Sequence, residues 1–535
     1  MRRALCVALA VSAVFGCRSR GPEAPESVAL PAEATLIPAR LRRLTNAEYE
    51  QAASELVGEP VQVQHLLPPD VRQDGFTINA AQAVPAAHAT RLASVAEQIA
   101  HRAVQPNPTR LVPCSASASD ACKDSFVRDF AHRAFRRPPS DAEVRGLGEL
   151  FDQGERDGGG FAGGMELVLS ALLQAPSFVY VRELGEPDAT GRNMLSSVEM
   201  GSSLAFLVSG GPPDAELLEV AEQGRLTDSA TRSEQARRLL AKTGTRHHFR
   251  RFILEWLEVD QLDQLAKDVE LAPRFEQMKP HMLDETRAFV DEVMVHGGAS
   301  IRSLLSAGFA SVDAPMARYY GFDAYGPRVS LERSARFGLL QQASFLAAHA
   351  HEDSTSPVKR GDFVMRKLLC TTLPRPQELN IEVTIPAPNE TETTRERFAA
   401  HVTNTSCQAC HASIDPLGYT FENFDAAGRE RTRQNDRPIR TASSVSIDGR
   451  PHTFEDSIQL SRWLAQNDAT HECFARYAFR YFSAQSDPKV EQSFTALTRN
   501  LAAPNKESLI ELVVTYVASD LFALRDAERG GRPAE

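Results

Sequence analysis

The chain has 535 residues, enough for roughly three or four domains, and its 59 Lys and Arg against 70 Asp and Glu give a formal net charge of −11. An acidic balance argues against a nucleic-acid partner, which would want a basic surface, and is more often a matter of solubility. Beyond the N-terminus no stretch reaches eighteen uninterrupted apolar residues, so the sequence predicts no transmembrane helix there.

Arg2 and Arg3 precede a twelve-residue apolar run from Ala4 to Phe15, too short for a membrane span and right for a signal-peptide core. The run ends at Val14-Phe15-Gly16-Cys17, which resembles a bacterial lipobox. Residues 1–16 are therefore expected to leave and Cys17 to carry a lipid, taking the net charge from −11 to −13 with the two arginines lost. Phe15 is bulkier than usual at its position, which leaves ordinary cleavage or an uncleaved anchor as alternatives. Residues 17–38 are rich in Pro, Ala and Glu and predict a flexible tether.

The body has helical period. Thr45-Asn46 caps a helix to about residue 56, and others follow at 86–103, 124–134, 142–153 and 164–173. Asp157-Gly158-Gly159-Gly160 lacks a phosphate-loop Lys-Ser/Thr and is expected to be a simple loop. Further helices are expected at 197–207, 214–222, 229–241, 246–257 and 279–296. Segment 371–394, rich in Pro and Thr, predicts a linker. Only 442–454 looks convincingly extended, with Val445 and Ile447 alternating before the Asp448-Gly449 turn of a small hairpin. The tail returns to helix at 457–466, 471–482, 490–501 and 506–523. The expected fold is mainly α, a multi-domain helical protein with one small β-hairpin.

Export would place the chain in an oxidising compartment, where cysteines pair or bind cofactors. Of eight cysteines, Cys6 leaves with the signal and Cys17 takes the lipid. Cys407 and Cys410 stand apart in the run Cys407-Gln408-Ala409-Cys410-His411. Cys114, Cys122, Cys370 and Cys473 then allow three pairings. We prefer Cys114–Cys122, closing a short polar loop, and Cys370–Cys473, stapling two later modules; buried free thiols are the alternative.

Cys-x-x-Cys-His is the attachment motif of c-type haem: two thiols add across the vinyl groups, and the adjacent histidine is held against the iron. At this composition a chance match is expected about 0.003 times. A thioredoxin-like redox pair would want a βαβ setting, which is missing. A zinc site would want a second close Cys/His pair. A structural disulfide is the third rival. Haem c at Cys407 and Cys410, with His411 as proximal ligand, is the preferred reading.

The sixth ligand is open, because the chain has no methionine after Met365. Candidates are His349, His351, His401, Met365, or no protein ligand. Along one continuous helix His401 would lie about 15 Å from His411, so it reaches the opposite haem face only if the chain bends, and a supporting role suits it as well. Pro416 and Gly418 are expected to force a turn after the motif, and Phe421 and Phe424 could wall a porphyrin edge. Asp415, Glu422 and Asp425 invite a metal or acid/base role but more simply cap and orient turns.

From Ser406 through Asp415-Pro416-Leu417-Gly418 to Glu422-Asn423-Phe424-Asp425, the segment resembles the cytochrome-c-like module of large exported proteins of Planctomycetes and myxobacteria. Gly338-Leu339-Leu340 and Thr355-Ser356-Pro357-Val358-Lys359-Arg360-Gly361 match the approach to that module. Residues 41–49 resemble the opening module of these proteins, and 130–139 the second. Leu173 to Phe178 and Pro213 to Leu218 resemble the third, and the stretch from Arg440 through Cys473 to Arg476 the last. The modules would span 39–105, 114–170, 171–325, 333–435 and 440–525.

The resemblance implies c-type haem and export but no known reaction. Two departures are visible: no N-terminal Cys-x-x-Cys-His module is present, and Phe206-Leu207-Val208 stands where a Leu-Trp pair is frequent. The expectation is an envelope lipoprotein of a Gram-negative bacterium, periplasmic or outer-membrane-anchored, exchanging electrons with a redox partner protein. A haem peroxidase or oxidase with an open iron, and a scaffold stapled by haem, are the alternatives.

Overall fold

Side-chain caps begin many of the helices. In the computed structural model, Thr45, Ser140 and Ser196 each accept from the backbone N–H three residues on, while Glu48, Glu143 and Glu199 close reciprocal capping boxes. The structure describes residues 30, 34–188, 191–332, 334–374, 378, 386–399, 405–499 and 501–527. Cys17 and the signal segment lie outside them. Among the described residues no helix is long and apolar enough to cross a membrane.

The fold is mainly α. Helices Asn46–Val57, Ala86–Val104, Asp120–Phe135, Asp141–Gly154 and Gly160–Gln174 bury their apolar faces in one core, from Leu44 to Phe206. A second, larger core runs from Leu36 to Leu524 and is shared by the helices of 197–305, the 339–424 region and the tail. A third, smaller one gathers Met282, Met316 and Ala343. Neighbouring sequence modules thus share cores.

Several local expectations need correction. Strands are not confined to the hairpin Ser443–Ile447/Arg450–Phe454. Arg40–Arg43 pairs antiparallel with Tyr180–Glu183, and Phe309–Val312 with Gly326–Ser330. Ile37–Pro38 pairs parallel with Leu524–Asp526, bringing the two ends of the body together. Strands of two to five residues are too short to show alternation in a sequence window. The tether ends before residue 38: Leu36 and Ile37 are buried, and Thr35 N–H donates to Ser493 Oγ at 2.9 Å.

The glycine run at 157–160 breaks the helical path as expected: Gly158 (φ 93°) and Gly160 (φ 55°) leave the helical region, and the chain kinks there between helices Asp141–Gly154 and Gly160–Gln174. The last predicted helix is broken into Ala503–Glu507, Leu509–Ala518 and Asp520–Ala523, with Ser508 and Ser519 in extended conformation at the joints. The predicted linker lies partly outside the described residues, and its end forms the capped helix Thr394–Phe398.

The long helix Phe275–His296 carries a buried carboxyl, Glu285. Tyr320 donates its hydroxyl proton to Glu285 and accepts from Ala343 N–H at 2.8 Å. Burial pushes Glu285 up to about 7, against the hydrogen bond from Tyr320. A carboxyl raised on folding stabilises the protein fully below its unfolded pKa, and that stability is lost as pH rises through the folded value. The melting temperature should therefore fall between about pH 5 and pH 8, and Glu285→Gln should flatten that slope in a pH series of thermal melts.

Candidate haem-attachment site

Cys407, Cys410 and His411 sit on one helix, Thr405–Tyr419. Spacings of three and four residues place side chains on one helical face. Cys407 and Cys410 are half-exposed and unpaired. The disulfides Cys114–Cys122 and Cys370–Cys473 are formed.

The helix is held by a backbone-close contact with the antiparallel helix Pro357–Phe363. A Cβ on Gly361 would lie 2.0 Å from the Ile414 carbonyl oxygen, and one on Gly418 would lie 1.9 Å from that of Pro357. Only glycine permits this approach. Pro416 and Gly418 therefore do not force a turn; both lie inside the helix, and the turn comes after it, at 420–424. Packing against Pro357–Phe363 overrides the breaker tendency of the two residues.

His411 Nδ1 is 2.8 Å from Asp415 Oδ1, one helical turn on. Asp415 is 1% exposed, so its carboxylate is fixed by its surroundings. Such a pairing sets the tautomer and orientation of the ring.

The turn beyond the helix is organised by Arg360, which is fully buried. Its guanidinium donates to the carbonyls of Phe421, Phe424, Leu346 and Asp425. Burial pulls Arg360 down to about 10, which leaves it charged at neutral pH. Glu422 accepts from Thr355 Oγ1 at 2.8 Å and Arg431 Nη2 at 3.0 Å. Asp425 accepts from the N–H groups of Ala427 and Arg429. These two acids bind turn and side-chain donors, and among the described residues no group of three His, Cys, Asp or Glu could hold a metal ion. Phe421 and Phe424 are fully buried in the main core, Phe421 6.2 Å from Phe345 and Phe424 under the Arg336 guanidinium at 5.0 Å. Sequence reasoning assigned no role to Arg360, although it stands in the Thr355–Gly361 run that carries the family resemblance.

The candidate sixth ligands separate. His401 lies outside the described residues. His349 is buried, its ring stacked on Phe345 at 4.4 Å and edge-on to Phe363 at 4.9 Å, with Nδ1 3.0 Å from the Phe345 carbonyl and Nε2 3.6 Å from Glu258. His351 is half-buried in the 350–355 loop, where burial and Lys359 lower its pKa. Met365 is buried just past the end of helix Pro357–Phe363. Met365 belongs to the main core, and the half-buried Cys410 packs against that core.

Comparison with known domain families gives four matches, all described as proteins of unknown function. PSD3 (DUF1587) matches residues 42–105, and PSD5 (DUF1595) matches 122–183. PSD4 (DUF1592) matches 195–322, and PSCyt3 (DUF1588) matches 336–434. The chain combines these four domains. The motif helix, Arg360 and Asp415 all fall within the PSCyt3 domain. No curated protein and no solved structure matches the chain.

Proposed function

We propose that this is an exported, lipid-anchored c-type haem protein that carries electrons in the cell envelope. The observation that supports it most is a helix bearing two unpaired, half-exposed cysteines at 407 and 410 beside a histidine held by the buried carboxylate of Asp415. The residues fit the group: two thiols and an imidazole on one helix are its donor set. The name PSCyt3, borne by the matched domain, points the same way.

Cys407 and Cys410 would hold the haem through thioether bonds, and His411 would ligate its iron. A bound haem supplies a one-electron couple. Asp415 holds the proton on His411 Nδ1, so that Nε2 carries the lone pair and the ring cannot rotate freely. A sixth ligand, if the iron takes one from the chain, would come from His349, His351, His401 or Met365. Cys17 would take the lipid, and a redox protein in the same compartment would be the partner.

An absorbance spectrum of the purified protein tests the electron-transfer role. Six-coordinate, low-spin iron is expected in both redox states; a high-spin spectrum with rapid peroxide reactivity would replace that role by catalysis. Asp415→Asn should raise the midpoint potential, because the carboxylate favours the more positive oxidised iron. Each tenfold loss of that preference corresponds to about 59 mV for a one-electron couple. An unchanged potential would remove Asp415 from the tuning of the site.

A further inference from the structure

A cleft of about 470 Å³ lies between the 350–355 loop, helix Thr394–Phe398 and the segment 425–435. That volume falls in the range of small-molecule sites. Its charges are sorted by depth. Arg429 is paired with Asp425, and Arg431 with Glu422. The acids with no such pairing, Glu352, Asp353 and Glu390, are exposed at the rim. The cations with no carboxylate partner among the described residues, Lys267 and Arg397, are buried at 6% and 8% exposure.

Lys267 donates to the His351 carbonyl at 2.7 Å, and nearby Lys359 donates to the Ala350 carbonyl at 3.0 Å. Arg397 has less. Among the described residues its Nε and Nη2 are buried without a hydrogen bond, and the guanidinium lies 5.2 Å from the Phe398 ring. Glu422 and Asp353 act on it through space without bonding to it. A buried guanidinium with unfilled donors is costly unless something fills them, and its planar fork matches a carboxylate. The acidic rim would repel a polyanion while admitting a small molecule with one or two negative charges.

We propose that this cleft binds a small organic carboxylate, with Arg397 as its anchor and Lys267 as the second cation. Two sources share that chemistry, a free organic acid and a propionate of the attached haem. The site does not depend on the haem reading, since its residues stand without it.

The test is calorimetric titration of the full-length exported protein with benzoate and succinate, with benzamide as neutral control. At least one of the acids should bind tenfold or more tightly than benzamide. Arg397→Gln should weaken acid binding tenfold or more while leaving the melting temperature unchanged or higher, because an unpaired buried charge has been removed. Arg397→Lys, which keeps the charge and loses the fork, should fall between. The titration is run on protein made with and without haem maturation. Acid binding in both forms assigns the site to a free organic acid; binding only in the haem-free form assigns it to a haem propionate. No binding of either acid in either form, or binding that Arg397→Gln leaves intact, overturns the proposal.

Discussion

Gly418→Ala is expected to destabilise the protein by about 3 kcal/mol or more, at or above the usual cost of overpacking. The added methyl would meet the Pro357 carbonyl at 1.9 Å, and helical backbone has to move to relieve it. Gly361→Ala should behave alike, since its Cβ would meet the Ile414 carbonyl at 2.0 Å. Gly146 provides the contrast: it lies inside helix Asp141–Gly154 with open space around a Cβ. Gly146→Ala should stabilise by roughly 0.5–1 kcal/mol through helix propensity. Denaturant midpoints of the three variants check this ordering. Wild-type stability in Gly418→Ala would mean that the two helices do not approach as closely as described.

Loss of the Cys370–Cys473 disulfide should cost about as much. The bridge spans 103 residues and joins the segment after Met365 to the tail helix Asp468–Ser483. In the chain-entropy view a loop of that length is worth about 4.7 kcal/mol, and removal of native disulfides typically costs about 2–5 kcal/mol. Cys114–Cys122 spans only 8 residues and should be worth about 2.5 kcal/mol on the same scale. Paired serine substitutions, followed by thermal and denaturant unfolding under non-reducing conditions, should place the Cys370/Cys473 variant well below the other. Equal losses would show that loop length does not govern the effect here.

The two predictions concern features of unequal legibility. Long amphipathic helices are visible in the sequence because a 3.6-residue period persists over several turns; 86–103 is expected and Ala86–Val104 is found. The two-residue pairing of Ile37–Pro38 with the chain's far end has no local signal at all. Pro416 and Gly418 misled for a physical reason: as isolated residues they break helices, yet Gly418 is the only kind of residue that lets Pro357 approach. Arg360 was illegible because arginine is mostly a surface residue. Its burial is offset by four carbonyls, most of them far away in sequence, that converge on it, and by the buried Glu422 carboxylate 3.8 Å away. The motif itself was fully legible, being contiguous. The histidine's partner Asp415 was visible as an acid one turn away, but its bond to His411 required Asp415, the residue before Pro416, to stay helical.

The central proposal is that the helix Thr405–Tyr419 carries a covalent haem. The most direct measurement is expression of the full chain with a c-type maturation system, followed by denaturing electrophoresis and a haem stain. Wild-type protein should stain at the length of the mature chain that begins at Cys17, and Cys407→Ala/Cys410→Ala should run at the same position without staining. A wild-type band that carries no covalent haem, under conditions where a control cytochrome c is matured, would contradict the account.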